Sequence, residues 1–194
     1  MRETREGKED MRQRRSRQHL TGALLGLMEE QPYGEISVVD ICQRAMVHRT
    51  TFYAHFEDKN DLFQYVLQSM MDQFSESWDR AGEEKGVREG IRDEFKKVLE
   101  FFKAHQRLCT VGLGGSGSPE LQMMEKAIAQ VLERFILEKG SPTLGQDPYA
   151  AKVWSRFYAG AILSAVDWWL ENGTPISTEE MVSLLERTVP ERWE

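Results

Sequence analysis

SVVDICQRAMVHRTTFYAHFEDKNDL, running from Ser37 to Leu62, decides the fold class of this chain. Ser37 is a good N-cap, and Val38, Ile41, Cys42 and Ala45 follow at the spacing of one apolar helix face. A second short helix fits His48 to Phe56, with Phe52 and Phe56 one turn apart as its inner face. Asp58 can cap a longer helix that begins near Leu62. Upstream, Leu20, Ala23, Leu24, Leu27 and Met28 mark the apolar side of a first helix, broken by the Gln31-Pro32-Tyr33-Gly34 stretch. Two short helices joined by a tight turn and resting on a longer one are the outline of a helix-turn-helix unit.

In such a unit the second short helix packs one face and turns the other outward. Phe52 and Phe56 are read as core. His48, Arg49, Thr50 and Tyr53 stay outward at the end where recognition helices touch base edges. Ser37, Thr51, His55 and Lys59 are placed to serve phosphates with hydrogen bonds or charge. Tyr53 has a plainer alternative as a surface ring. His48 and His55 lie seven residues apart, but no carboxylate or cysteine is arranged with them, so no metal site is expected.

The same stretch resembles the TetR-family DNA-binding signature. An apolar-x-x-Ala turn, a Thr-Phe-Tyr-x-x-Phe helix and a Lys-x-x-Leu follow-on occur together across the first third of the chain. The resemblance implies a helical C-terminal domain that dimerises and binds a small effector, and it makes the chain a DNA-binding transcription regulator, a repressor released from its operator by that effector. Two positions depart from the family pattern. Met46 stands where Gly is usual, because a left-handed backbone is costly for a residue with a side chain, and His48 replaces the usual Ser at the next N-cap.

Working outward, the bulk numbers permit this reading without demanding it. Net charge is -7, at first sight wrong for a partner of DNA, but its distribution is uneven. Residues 1–60 hold ten basic and ten acidic side chains; residues 61–194 hold 15 and 22 and account for the whole excess. Arg12, Arg14, Arg15 and Arg17 form a basic run ahead of the first apolar helix, either a phosphate contact or a solvated helix end. Cys42 and Cys109 are far apart and outside any CxxC spacing, which suits a reducing cytoplasm. No membrane-length apolar run or signal-peptide core is present.

Beyond Leu62 the pattern stays helical, giving an all-α chain of about nine helices, with residues 1–60 as the helix-turn-helix domain and 61–194 as the effector-binding and dimerisation domain. Asn60 to Trp78 reads as one helix, Ile91 to Phe102 as another, and Gly82 to Gly86 as a polar break between them. Gly112 to Ser118 (GLGGSGS) reads as a flexible linker. It lacks the ending of a phosphate-binding loop. Ser118-Pro119, Asp147-Pro148 and Ser177-x-x-Glu180 are helix starts.

The helix from Val153 to Leu170 is apolar on nearly all sides and therefore needs cover on all sides. Gly160 and Ser164 would admit a second helix closely. The GAILSAVDWWLENGTPISTEEMVSLL stretch resembles the helix pair by which TetR-like regulators dimerise, so Tyr158, Ile162, Val166, Trp169, Met181 and Leu185 are expected at a two-fold interface, with an oversized monomer core as the alternative. Phe74, Trp78, Phe95, Leu99, Phe102 and Met124, from three helices, are expected to line an effector pocket for an apolar or aromatic ligand. The methionines at 70, 71, 123 and 124 fit either an adaptable pocket or ordinary core.

Two other classes compete. A helical enzyme is disfavoured because no Ser/His/Asp set, HExxH, paired His-carboxylate motif or nucleotide loop is present, and no cofactor is implied. An adaptor whose altered helix-turn-helix binds protein rather than DNA rests only on Met46 and the low N-terminal charge.

Overall fold

The structure, a computed structural model, describes residues 3–85, 87–113, 117–139 and 147–188, with the side chains of 3–10, 12, 74–85, 87, 88, 90, 91, 94, 139 and 148 outside that description. Among the described residues there is no strand. The described residues form eight α-helices, in order α1 (Glu3–Met28), α2 (Val38–Ala45), α3 (Arg49–Tyr53), α4 (Lys59–Lys85), α5 (Val87–Ala104), α6 (Pro119–Lys139), α7 (Pro148–Glu171) and α8 (Thr178–Glu186). A 3₁₀ turn (Tyr33–Glu35) follows α1, and a π turn (Leu108–Gly112) follows α5.

The expected caps are made. Ser37 accepts from the Asp40 amide while Asp40 accepts from the Ser37 amide, closing a capping box that starts α2. Ser177 and Glu180 do the same for α8. Asp147 accepts from the Tyr149 and Ala150 amides ahead of Pro148, and the Ser118 hydroxyl accepts from the Leu121 amide at the start of α6. Each satisfies helix amides that have no partner within the helix.

One hydrophobic cluster runs from Leu20 of α1 to Leu185 of α8. Helix α4 starts inside the N-terminal unit: Leu62 and Phe63 are buried there, with the Phe63 ring 5.1 Å from that of Tyr33. It then packs on α5 and α6, while α6 and α7 pair along their length. Two readings of the sequence need correction. Helix α4 continues through Gly82 to Lys85, because one glycine costs a long packed helix only about 1 kcal/mol. Gly112 belongs to no linker; it lies in the π turn, pressed against α1.

Candidate nucleic-acid interface

The outer surface of α3 is built on a buried aromatic base. Phe52 is fully buried and Phe56 nearly so, their ring centroids 5.9 Å apart. Burying each ring stabilises by roughly 1.5–3 kcal/mol, which fixes the rotation of this short helix. What remains outside is His48, Arg49, Thr50 and Tyr53, all exposed, while Thr51 and His55 are half-buried. Tyr53 is 59% exposed with its ring edge against Phe52. Arg49, Thr50 and Tyr53 therefore share one open face at the helix N-terminus, with His48 beside them making no capping hydrogen bond.

The turn keeps its family geometry despite its side chain. Met46 sits at φ 55°, ψ 40°, its amide donating to the Cys42 and Gln43 carbonyls, while Val47 donates to Cys42 at 3.0 Å. Its side chain is 93% exposed. The left-handed backbone is thus retained at a local cost of about 1–2 kcal/mol.

Two residues expected at phosphates are occupied elsewhere. Lys59 donates its three ammonium protons to the carbonyls of Tyr33 (2.8 Å), Gly34 (3.3 Å) and Ile36 (2.8 Å), and lies 4.5 Å from the Tyr33 ring centre. An ammonium has three donors and all are used. Lys59 thus supports the α1–α2 connection. The Ser37 hydroxyl, likewise, donates to Asp40 at 2.5 Å as part of the cap. Asp40 is held below the usual carboxylate range by those Ser37 hydrogen bonds.

Desolvation, and secondarily the charge of Arg17, pushes the His55 imidazole below its ordinary value. Arg17 of α1 is thus within electrostatic reach of His55. Arg14 and Arg15 are exposed on the same helix, while the side chain of Arg12 lies outside the described residues. Among the described residues no group of three His, Cys, Asp or Glu side chains could hold a metal ion. Both cysteines are free; burial pushes the Cys109 thiol up to about 12.

The residues expected at the two-fold interface divide differently. Tyr158, Ile162, Val166, Trp169, Met181 and Leu185 are all covered within their own chain. Trp169 is fully buried and its indole donates to the Ile176 carbonyl at 2.8 Å. The helix that Gly160 faces is α6 of the same chain, through Glu125. The open face of α7 is the next stripe round: Tyr149, Val153, Phe157, Ala161, Ser164 and Trp168. Tyr149, Val153, Phe157 and Trp168 are 79%, 66%, 61% and 51% exposed.

Of the expected effector site, Leu99, Phe102 and Met124 are buried in the common core and Phe95 is half-buried against it. The side chains of Phe74 and Trp78 lie outside the described residues.

An all-helical chain with a helix-turn-helix ahead of a larger helical body is the architecture of a DNA-binding regulator. Residues 20–66 match the bacterial regulatory proteins of the tetR family, and residues 89–191 match a transcriptional regulator C-terminal region of the same group. The chain belongs to the TetR family and is a DNA-binding transcriptional regulator.

Among solved structures, it resembles a TetR transcriptional regulator from Streptococcus agalactiae (18% identity, 94% of this chain and 98% of that one, TM-score 0.63). It also resembles FadR from Bacillus subtilis in complex with stearoyl-CoA (17%, 88% and 95%, TM-score 0.62). A third is NalD, the secondary repressor of the MexAB-OprM multidrug efflux pump in Pseudomonas aeruginosa (18%, 93% and 100%, TM-score 0.60). At these identities the likeness is one of fold. A comparison with curated protein sequences finds no match.

Proposed function

We propose that the protein is a cytoplasmic homodimeric repressor that reads its operator with the open face of α3 and releases it when a small apolar or aromatic effector binds the helical body. The observation that carries the DNA-reading part is the Arg49–Thr50–Tyr53 face, exposed and aligned on a fully buried Phe52. Arg49 is the base reader; Thr51, His55 and the Arg14–Arg17 side of α1 serve phosphates. One such helix spans too few base pairs, so two copies read half-sites about one helical turn, or a multiple of it, apart.

Dimerisation runs through the exposed stripe of α7, from Tyr149 to Trp168. Large rings left open along a whole helix are the surface that an obligate partner covers. The effector seat lies where α4, α5 and α6 meet, bordered by Phe95, Leu99, Phe102 and Met124. Support comes from the packing of α4 against both α5 and α6 and from the stearoyl-CoA bound by one fold relative. Residues 1–60 and 61–194 are the two functional parts, although α4 crosses the boundary at its first turn.

The test is a footprint on the promoter beside the protein's own gene, with and without candidate effectors. Protection with a dyad, weakened by orders of magnitude between roughly 50 and 200 mM salt and relieved by a ligand, is expected. Binding without a dyad or without salt dependence overturns it.

A further inference from the structure

Two acidic residues, Glu29 and Glu30, follow directly on helix α1, at the negative end of its dipole, where anions are unfavourable. Each is met by a partner from a different part of the molecule. The Arg44 guanidinium of α2 reaches Glu30 at 2.8 Å and lies across Gly26, where an added Cβ would meet it at 3.1 Å. On the other side, His105 Nδ1 lies 2.9 Å from the Glu29 carboxylate, and Arg107 Nε donates to the Glu29 carbonyl at 2.9 Å. His105 and Arg107 immediately precede the π turn.

That turn is not free to drift. Gly112 is buried so closely on α1 that a Cβ would sit 2.5 Å from the Met28 carbonyl oxygen and 2.8 Å from the Met28 Cβ, and Met28 itself is fully buried. Between His105 and Arg107, Gln106 donates to the Leu170 carbonyl at the end of α7 at 3.0 Å. A π turn inside a helical chain is a recurrent mark of a functional position. A continuous line of contacts therefore runs from the end of α7 through Gln106, the π turn and Glu29–Glu30 to Arg44 in the reading unit. It does not pass through α4.

We propose that Glu29 and Glu30 form a two-sided clamp that positions the reading unit relative to α7, and so sets the half-site spacing the dimer accepts. The inference rests on the dimeric reading given above. Glu29, His105 and Arg107 are positioning residues: they meet at the junction of α1 with the body, apart from the α3 face assigned to reading DNA. The Arg44–Glu30 ion pair and the His105–Glu29 hydrogen bond are solvent-exposed and individually weak, so the buried seat of Gly112 on Met28 holds the register and the clamp selects its angle.

The experiment uses the full chain and an operator selected by the wild type from a randomised library. Spacers between half-sites are changed one base pair at a time. Competitive gel shifts then rank the set for wild type, Glu29→Ala, His105→Ala and Gly112→Ala, with sedimentation reporting the oligomeric state. Affinity for an isolated half-site should be unchanged in Glu29→Ala and His105→Ala. Their discrimination between the best spacing and its neighbours should fall roughly two- to thirty-fold, the range found for mutations along a coupled contact. Gly112→Ala should move the preferred spacing; if it fails to fold, the other two variants carry the test. A merely structural role would lower the melting temperature and leave the spacing profile alone. Superimposable profiles for wild type, Glu29→Ala and His105→Ala overturn the clamp. A wild type that sediments as a monomer on its operator overturns the dimeric reading itself, and the clamp with it.

Discussion

Lys59 Nζ donates to the carbonyl of Ile36 at 2.8 Å, joining the first residue of α4 to the strand of chain that enters α2. With the Tyr33 and Gly34 carbonyls it completes a three-acceptor socket over the Tyr33 ring. The Tyr33 hydroxyl closes the same junction by donating to Asn60 at 2.8 Å. A positive charge in the reading unit thus orients α2 and α4.

Lys59→Ala should accordingly cost about 2 kcal/mol of stability, the scale of hydrogen bonds to a charged group. The dependence of operator affinity on salt should keep its slope in conditions where the variant is folded. Chemical denaturation and a salt titration check both. A slope flattened by about one contact would return Lys59 to the phosphate set.

Met46→Gly should stabilise the protein by about 1 kcal/mol. The φ of 55° costs a residue with a Cβ, and the 93% exposed side chain gives up no packing. Urea midpoints measure it. The gain is net of the flexibility that Gly adds to the unfolded chain.

Arg49→Ala should weaken operator binding by about 1–3 kcal/mol and relax preference at one base position, as loss of a bidentate base contact does. Tyr53→Ala should weaken binding without unfolding the unit, because the burial of Phe52 and Phe56 holds α3. Selection from a randomised operator library separates the two. Equal loss on every sequence for Arg49→Ala would make it a phosphate contact.

Phe157→Glu and Trp168→Glu should each yield helical monomers that lose operator binding, since an unpaired carboxylate defeats an apolar interface. Ile162→Glu and Val166→Glu should unfold the chain instead, because both positions are buried within it. Sedimentation with circular dichroism distinguishes these outcomes. Dimers from both exposed-stripe variants would move the interface elsewhere.

Acidification should loosen the N-terminal unit through His55. Burial, with a smaller contribution from Arg17, lowers its folded value below the ordinary 6.5. The unfolded chain then binds the proton more readily, so the contribution is present above pH 6.5 and is lost as pH falls toward the folded value. His55→Gln should flatten stability against pH across that window. An unchanged slope would dissociate His55 from it.

Local order was legible in the sequence because its causes are local. Ser37, Asp147 and Ser177 announce helix starts through hydrogen bonds that span three residues, and the Phe52–Phe56 pair announces the inner face of α3 by its spacing. The turn at Met46 was open in the sequence, because motif position and residue preference pull opposite ways; the structure holds it left-handed. Only the tertiary structure decided matters that depend on what arrives from far along the chain. It engaged the Lys59 ammonium with carbonyls some 25 residues upstream and seated Gly112 on Met28. It also turned Trp169 inward and left Trp168 exposed. A helix apolar all round says that every side needs cover; it does not say which side its own chain covers. Side-chain periodicity reports that a residue is buried or capped, whereas the partner is chosen by packing among distant helices, which spacing along one helix cannot encode.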